Sequence, residues 1–215
     1  MSAPDRHALD NAGMWKAWVL LCVAEASRMG LTPMGTSQLH VILYMANPLA
    51  EFFEIPRVRG RGLKKGPYPF FPDVQWEIDR MAFSGVLSIT QVDFGSKGYL
   101  NAHYALGARG YSIYESLMAH SPDAQRTSRL FRELVSACFG RFLANRADIG
   151  AIDANYGDLA VLDGEVVDFA EWTDENRNME LARYLINQLR VLRPNAERDG
   201  VRFYCDYLEK ALAVT

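Results

Sequence analysis

The sequence predicts a mainly helical protein carrying a single β-hairpin, on three observations. Apolar residues recur at helical spacing through several long stretches. VLSITQV and YLNAHYAL, rich in β-branched and aromatic residues, flank DFGSKG, whose Gly and Asp suit a tight turn. Immediately before them lies a helix opening at Pro72 and Asp73, carrying Val74, Trp76, Ile78, Met81 and Ala82 as its apolar set, and stopping at Gly85. Helix, strand, turn, strand in that order is the pattern of a winged helix-turn-helix. The expected fold is therefore mainly α: an N-terminal winged helix-turn-helix with a β-hairpin wing, then a C-terminal helical domain.

In chain order, residues 1–11 read as a flexible polar lead, and residues 12–118 as the winged-helix domain. An amphipathic helix from about Gly13 to Met29 sets Trp15, Trp18, Val19, Cys22 and Ala26 along one side and ends at Gly30. LTPMGT is a turn; Thr36 or Ser37 can cap SQLHVILYMAN, a helix with core candidates Leu39, Ile42, Leu43 and Met45 that Asn47 and Pro48 should end. RVRGRGLKKG then crowds Arg57, Arg59, Arg61, Lys64 and Lys65 together with two glycines, which predicts a solvated loop at 57–65, an expansion of the usual tight helix-turn-helix turn. PYPFF should tuck the chain back before the third helix.

After the hairpin, YSIYESLMAH reads as a helix, and the stretch from Ser121 to about Asn145 as a long one leaving the winged domain. Residues 119–215 are accordingly expected to form a separate helical domain, closed by helices at about 173–192 and 197–214. Within it, residues 147–172 contain no Lys or Arg, and Asp148, Asp153, Asp158, Asp163 and Asp168 recur at every fifth position, a spacing that fits neither a helix face nor a strand face.

The 215 residues are 49% hydrophobic, enough for a substantial core. Lys16 and Glu25 interrupt the run MWKAWVLLCVAEA, so no membrane span is expected, nor a signal peptide, and cytoplasm is the default compartment. Cys22, Cys138 and Cys205 are widely spaced in apolar contexts and read as core thiols. The sequence lacks a P-loop, a dinucleotide fingerprint, a nucleophile elbow, an HExxH motif and paired CxxC motifs. No enzymatic activity, cofactor or metal is expected. The rival enzyme reading would use the 147–172 carboxylates with a divalent metal, Asp153 and Asp158 foremost.

The net charge of −3 is unevenly spread. Residues 147–215 hold 14 Asp and Glu against 7 Lys and Arg, whereas residues 1–72 hold 5 against 8. The third helix, with Asp73, Gln75, Glu77, Asp79 and Arg80, has a net charge of −2 on the element that would have to enter a groove lined by phosphates. Such a helix suits protein contact better than base readout. Asp73, Glu77 and Asp79, with Asp153, Asp158 and Asp163, are the expected partner-binding residues. Contact with a DNA backbone would fall to Arg57, Arg59, Arg61, Lys64 and Lys65, with Lys97 at the wing tip. Trp76 and Trp18 sit among apolar neighbours and read as core residues rather than base-stacking ones.

PYPFFPDVQWEIDRMAFSGVLSI, YALGARGYSIYESL and IDANYGDLAVLDGEVVDFAEW, in that order, resemble the middle components of ABC-three-component systems, including the small accessory subunit of Lamassu-type antiphage defence. The resemblance implies a non-catalytic subunit bound to an SMC-like ABC ATPase and a nuclease-like effector, with double-stranded DNA a further partner through the complex and no membrane involved. The competing reading is a stand-alone winged-helix transcription regulator.

Overall fold

The structure, a computed structural model, describes residues 6–58, 60, 62–65, 68–94, 100–138, 162–167, 177–192 and 197–212. The described residues form a mainly helical protein with two small antiparallel sheets. In order the elements are α1 (Arg6–Arg28), β1 (Met34–Gly35), α2 (Thr36–Leu49), a 3-10 turn (Ala50–Phe53), β2 (Gly62–Lys65), β3 (Tyr68–Phe70) and α3 (Pro72–Phe83). They continue as β4 (Leu87–Phe94), β5 (Leu100–Leu106), α4 (Ala108–His120), α5 (Pro122–Cys138), β6 (Val166–Val167), α6 (Arg177–Leu192) and α7 (Glu197–Leu212).

The expected hairpin is present as β4 and β5, paired from Leu87↔Leu106 to Phe94↔Leu100 with a bulge between Ile89 and Gln91. Its turn, with Lys97, lies outside the described residues. β1 adds to the other edge of β5, giving the strand order β1-β5-β4. α3 also ends as expected: Gly85 takes a φ of 73°, which costs a residue without Cβ little, and the amides of Gly85 and Val86 close back on Ala82 O and Met81 O at 3.1 and 2.9 Å.

Four expectations give way. The helical run starts at Arg6, so the polar lead is shorter than residues 1–11. α1 is not one-sided, because every side chain from Trp18 to Ala26 is buried; α5, α3, α2, α4 and β5 surround it. α2 likewise is buried without a break from Leu39 to Leu49, and it runs through Asn47 and Pro48 instead of stopping there. The Asn47 amide explains the extension: buried, it holds both the N–H and the C=O of Val58, at 3.0 and 3.2 Å, and so replaces hydrogen bonds a loop would otherwise lack.

The 57–65 segment is the fourth difference. It is not an open loop, since Val58 is buried and Gly62–Lys65 forms a strand between β3 and β6. Main-chain pairing satisfies the amides of this strand while the Lys64 and Lys65 side chains keep partial access to water, so their charge is compatible with ordered structure. The antiparallel pair of β2 and β3 thus stands between α2 and α3, where an expanded, solvated loop was expected.

Past the boundary expected after residue 118, α5 packs against α1. Leu130, Phe131, Leu134, Val135 and Cys138 of α5 are fully buried, and the Phe131 ring meets Trp18 edge-on at 5.6 Å. Ala182 and Ile186 of α6 and Val201, Tyr204 and Cys205 of α7 join the same apolar cluster as Trp15, Leu21, Ile42 and Ile78. Residues 12–118 and 119–215 therefore share one core among the described residues. At Gly200 the packing is so close that a Cβ would lie 2.4 Å from the Phe52 ring.

Candidate functional site

α3 advances about 100° per residue, which sets Val74, Ile78 and Met81 inward and Asp73, Trp76, Asp79, Arg80 and Phe83 outward. Trp76, expected in the core, is 64% exposed, and Phe83 is 96% exposed. Helix geometry accounts for the miss: Trp76 lies two residues after Val74, nearly on the opposite side of the helix. The Arg80 guanidinium sits 6.0 Å from the Trp76 ring centroid. Trp76 and Phe83 share this outward face with the exposed side chains of Asp73, Asp79 and Arg80.

Glu77, expected to meet a partner, is instead buried. Its carboxylate lies 3.3 Å from Lys16 Nζ of α1 and 3.4 Å from Arg80 Nη1. It tethers α3 to α1, since a carboxylate on the inward side needs a cation brought to it.

Behind α3 sits a polar cluster that sequence reasoning missed. His40 of α2 accepts at Nδ1 from the Phe71 amide, at 3.2 Å, and its Nε2 lies 3.2 Å from Gln75 Oε1. Gln75 Nε2 donates on to Asp79 Oδ1 at 2.8 Å. The His40 ring stacks on Phe71 and tilts against Phe70. Burial pushes its pKa down from 6.5 to about 4, because charging it would cost hydration and the amide donor at Nδ1 leaves no room for a proton. This neutral imidazole fixes the start of α3. It was visible in the sequence only as a lone His on an apolar helix.

Glu25 is the second unexpected hub. It is buried in α1 and accepts from Arg132 Nε at 3.0 Å, Tyr114 OH at 2.9 Å, Arg28 Nη1 at 3.1 Å and the Ser128 hydroxyl. Burial pushes the carboxyl up, but the hydrogen bonds from Arg132, Ser128 and Tyr114 together outweigh it and hold the group below its ordinary value. A carboxylate inside a long apolar run, three residues before Arg28, was the signal available.

Of the residues expected to touch DNA, Arg59, Arg61 and Lys97 lie outside the described residues. Arg57 turns to Glu51 at 3.7 Å, and Arg183 of α6 reaches the same carboxylate at 3.2 Å, so Glu51 ties α6 to the 3-10 turn and Arg57 is drawn into that ion cluster instead of standing clear in solvent. Lys65 Nζ lies 4.4 Å from the Phe70 ring centroid. Lys64 is bracketed by the acidic segment: its C=O accepts from the Gly164 amide at 2.7 Å and its N–H donates to Glu165 O at 2.9 Å. The turn carrying Asp163 therefore abuts the basic strand, whereas Asp153 and Asp158 lie outside the described residues. The ends of the basic and acidic segments meet, although the sequence separates them by a hundred residues.

A groove of about 240 Å³ is lined by Phe53, Glu54, Pro122, Gln125, Arg126 and Arg129. Its lining carries both signs of charge, Glu54 against Arg126 and Arg129, and Arg126 is already paired with Asp123. Among the described residues no group of three or more His, Cys, Asp or Glu could hold a metal ion, and no helix is long and apolar enough to cross a membrane. The chain matches no protein-family model and no curated protein.

Proposed function

We propose that the protein is a non-catalytic accessory subunit of an SMC-like ATPase complex that defends against phage or plasmid DNA, a winged-helix module that works through protein contacts. One observation carries the reading: the third helix turns outward Trp76, between the carboxylates of Asp73 and Asp79, and Phe83 one turn beyond Asp79, with Arg80 between the two rings. Aromatic anchors of this kind are typical of protein interfaces, and an acidic rim opposes a phosphate-lined groove. The element order from α1 to β5 and the strand order β1-β5-β4 support the winged-helix description of residues 12–106. The ATPase or effector docks on α3, and DNA-backbone contact falls to the surface of the 57–65 segment.

Co-expression with an SMC-like ABC ATPase of such a system tests the proposal. Wild-type protein should co-purify with it, and Trp76→Ala should weaken the complex tenfold or more, about 1.4 kcal/mol or above. Absence of any complex removes the subunit reading; a complex indifferent to Trp76→Ala and Phe83→Ala moves the docking site off α3. A DNase footprint at a specific operator with the isolated protein would instead favour a stand-alone regulator.

A further inference from the structure

Two thiols outside the proposed docking face are poised for chemistry of their own. Cys138, the last residue of α5, and Cys205, midway along α7, are both fully buried, with Sγ atoms 3.9 Å apart. Cys138 also lies 3.7 Å from the Met45 Sδ of α2. All three cysteines are reduced. We propose that Cys138 and Cys205 are a redox pair whose oxidation to a disulfide locks α7 onto α5.

The geometry favours this bond. A disulfide requires sulfurs about 2.05 Å apart, so about 1.9 Å of approach must be shared between two side chains, each able to swing about its χ1 bond. The product is neutral, which suits an apolar core. A soft metal ion held by two thiolates would leave ionised sulfur within the same apolar cluster. In the reaction each thiol gives up one proton and one electron. A hydroperoxide accepts the two electrons and two protons: the first thiol, as thiolate, attacks the peroxide to give a sulfenic acid and water, or an alcohol if the peroxide is organic. The second thiol displaces a second water as the S–S bond forms.

The location gives the bond a consequence. It closes residues 138–205 into a loop and fastens the end of the chain to the helix packed directly against α1. With both thiols sealed from solvent, oxidation waits on α7 lifting from its seat, so the bond records that opening and then prevents it.

The test treats the full chain with hydrogen peroxide, then counts thiols in denaturant and measures intact mass without reductant. Free thiols should fall from three to one and the mass by about 2 Da, with peptide mapping joining Cys138 to Cys205. Cys22→Ser should still form the bond; Cys138→Ala and Cys205→Ala should not. Hydrogen exchange at α7 should slow at least tenfold in the oxidised protein and return to its starting rate with dithiothreitol. Three thiols persisting under peroxide, a bond to Cys22, oxidation that stops at sulfinic acid, or a bond that leaves α7 exchange unchanged would each overturn the proposal. Because none of these readouts involves α3, their failure leaves the partner-docking reading untouched.

Discussion

Glu25 and His40 show how single buried groups set the energetics. Glu25→Ala leaves Arg132, Arg28, Ser128 and Tyr114 aimed at an empty site in a region already short of water. A loss of about 3 kcal/mol is expected, read as a lower urea midpoint with an unchanged slope. Since the folded carboxyl titrates below its unfolded value, this contribution is present above the usual carboxylate range and fades as pH falls through the lowered value. His40 acts in a higher window. Its folded pKa of about 4 lies below the unfolded 6.5, so as pH drops below 6.5 the unfolded chain takes up a proton the folded one refuses. Stability should fall by up to about 3 kcal/mol between pH 6.5 and 4 and gain no further loss from this group beneath that. Urea titrations at pH 7 and pH 5 should show the drop, and His40→Asn should flatten it; an equal drop in the variant would acquit the imidazole. Both residues were readable as oddities, a charge and a lone His in apolar surroundings. Their partners, 89 or more residues from Glu25 for Tyr114, Ser128 and Arg132, were not.

Elements tell a more even story. The hairpin β4–β5 and the limits of α3 were legible because β-branched alternation, Pro72 and Gly85 act locally, through backbone dihedrals and unsatisfied amides. The strand at Gly62–Lys65 was not, because its partners are β3 on one side and β6, a hundred residues on, at the other. Strand pairing is a long-range event that composition alone does not encode. The same distinction separates the outward and inward faces of α3. Trp76→Ala should change stability by no more than about 0.5 kcal/mol, since a side chain already in water has little burial to lose. Met81→Ala, on the buried face, should cost 2 to 5 kcal/mol, roughly the range for truncating a core methionine. Gly200→Ala drives a methyl into the Phe52 ring and should lower thermal stability by about 1 to 3 kcal/mol while speeding hydrogen exchange in α7.

For the molecule as a whole, the decisive feature is that the chain's second half finishes the core of its first. A fragment ending at residue 118 would bare the face of α1 that carries Trp18 where α5 lays Phe131 against it. It should show no cooperative unfolding transition by circular dichroism; a fragment that melts cooperatively would restore the two-domain division. The sequence by itself determined the helical class, the succession of α3, β4 and β5, the acidic character of the third helix and the burial of all three thiols. These depend on residue type and near-neighbour spacing. Only the tertiary structure decided that Glu77 turns inward and Trp76 outward, that Arg57 belongs to an ion cluster with α6, and that Cys138 meets Cys205. The physical reason is that burial and pairing are properties of surfaces brought together from distant parts of the chain, and the free energy of bringing them together appears in no local pattern.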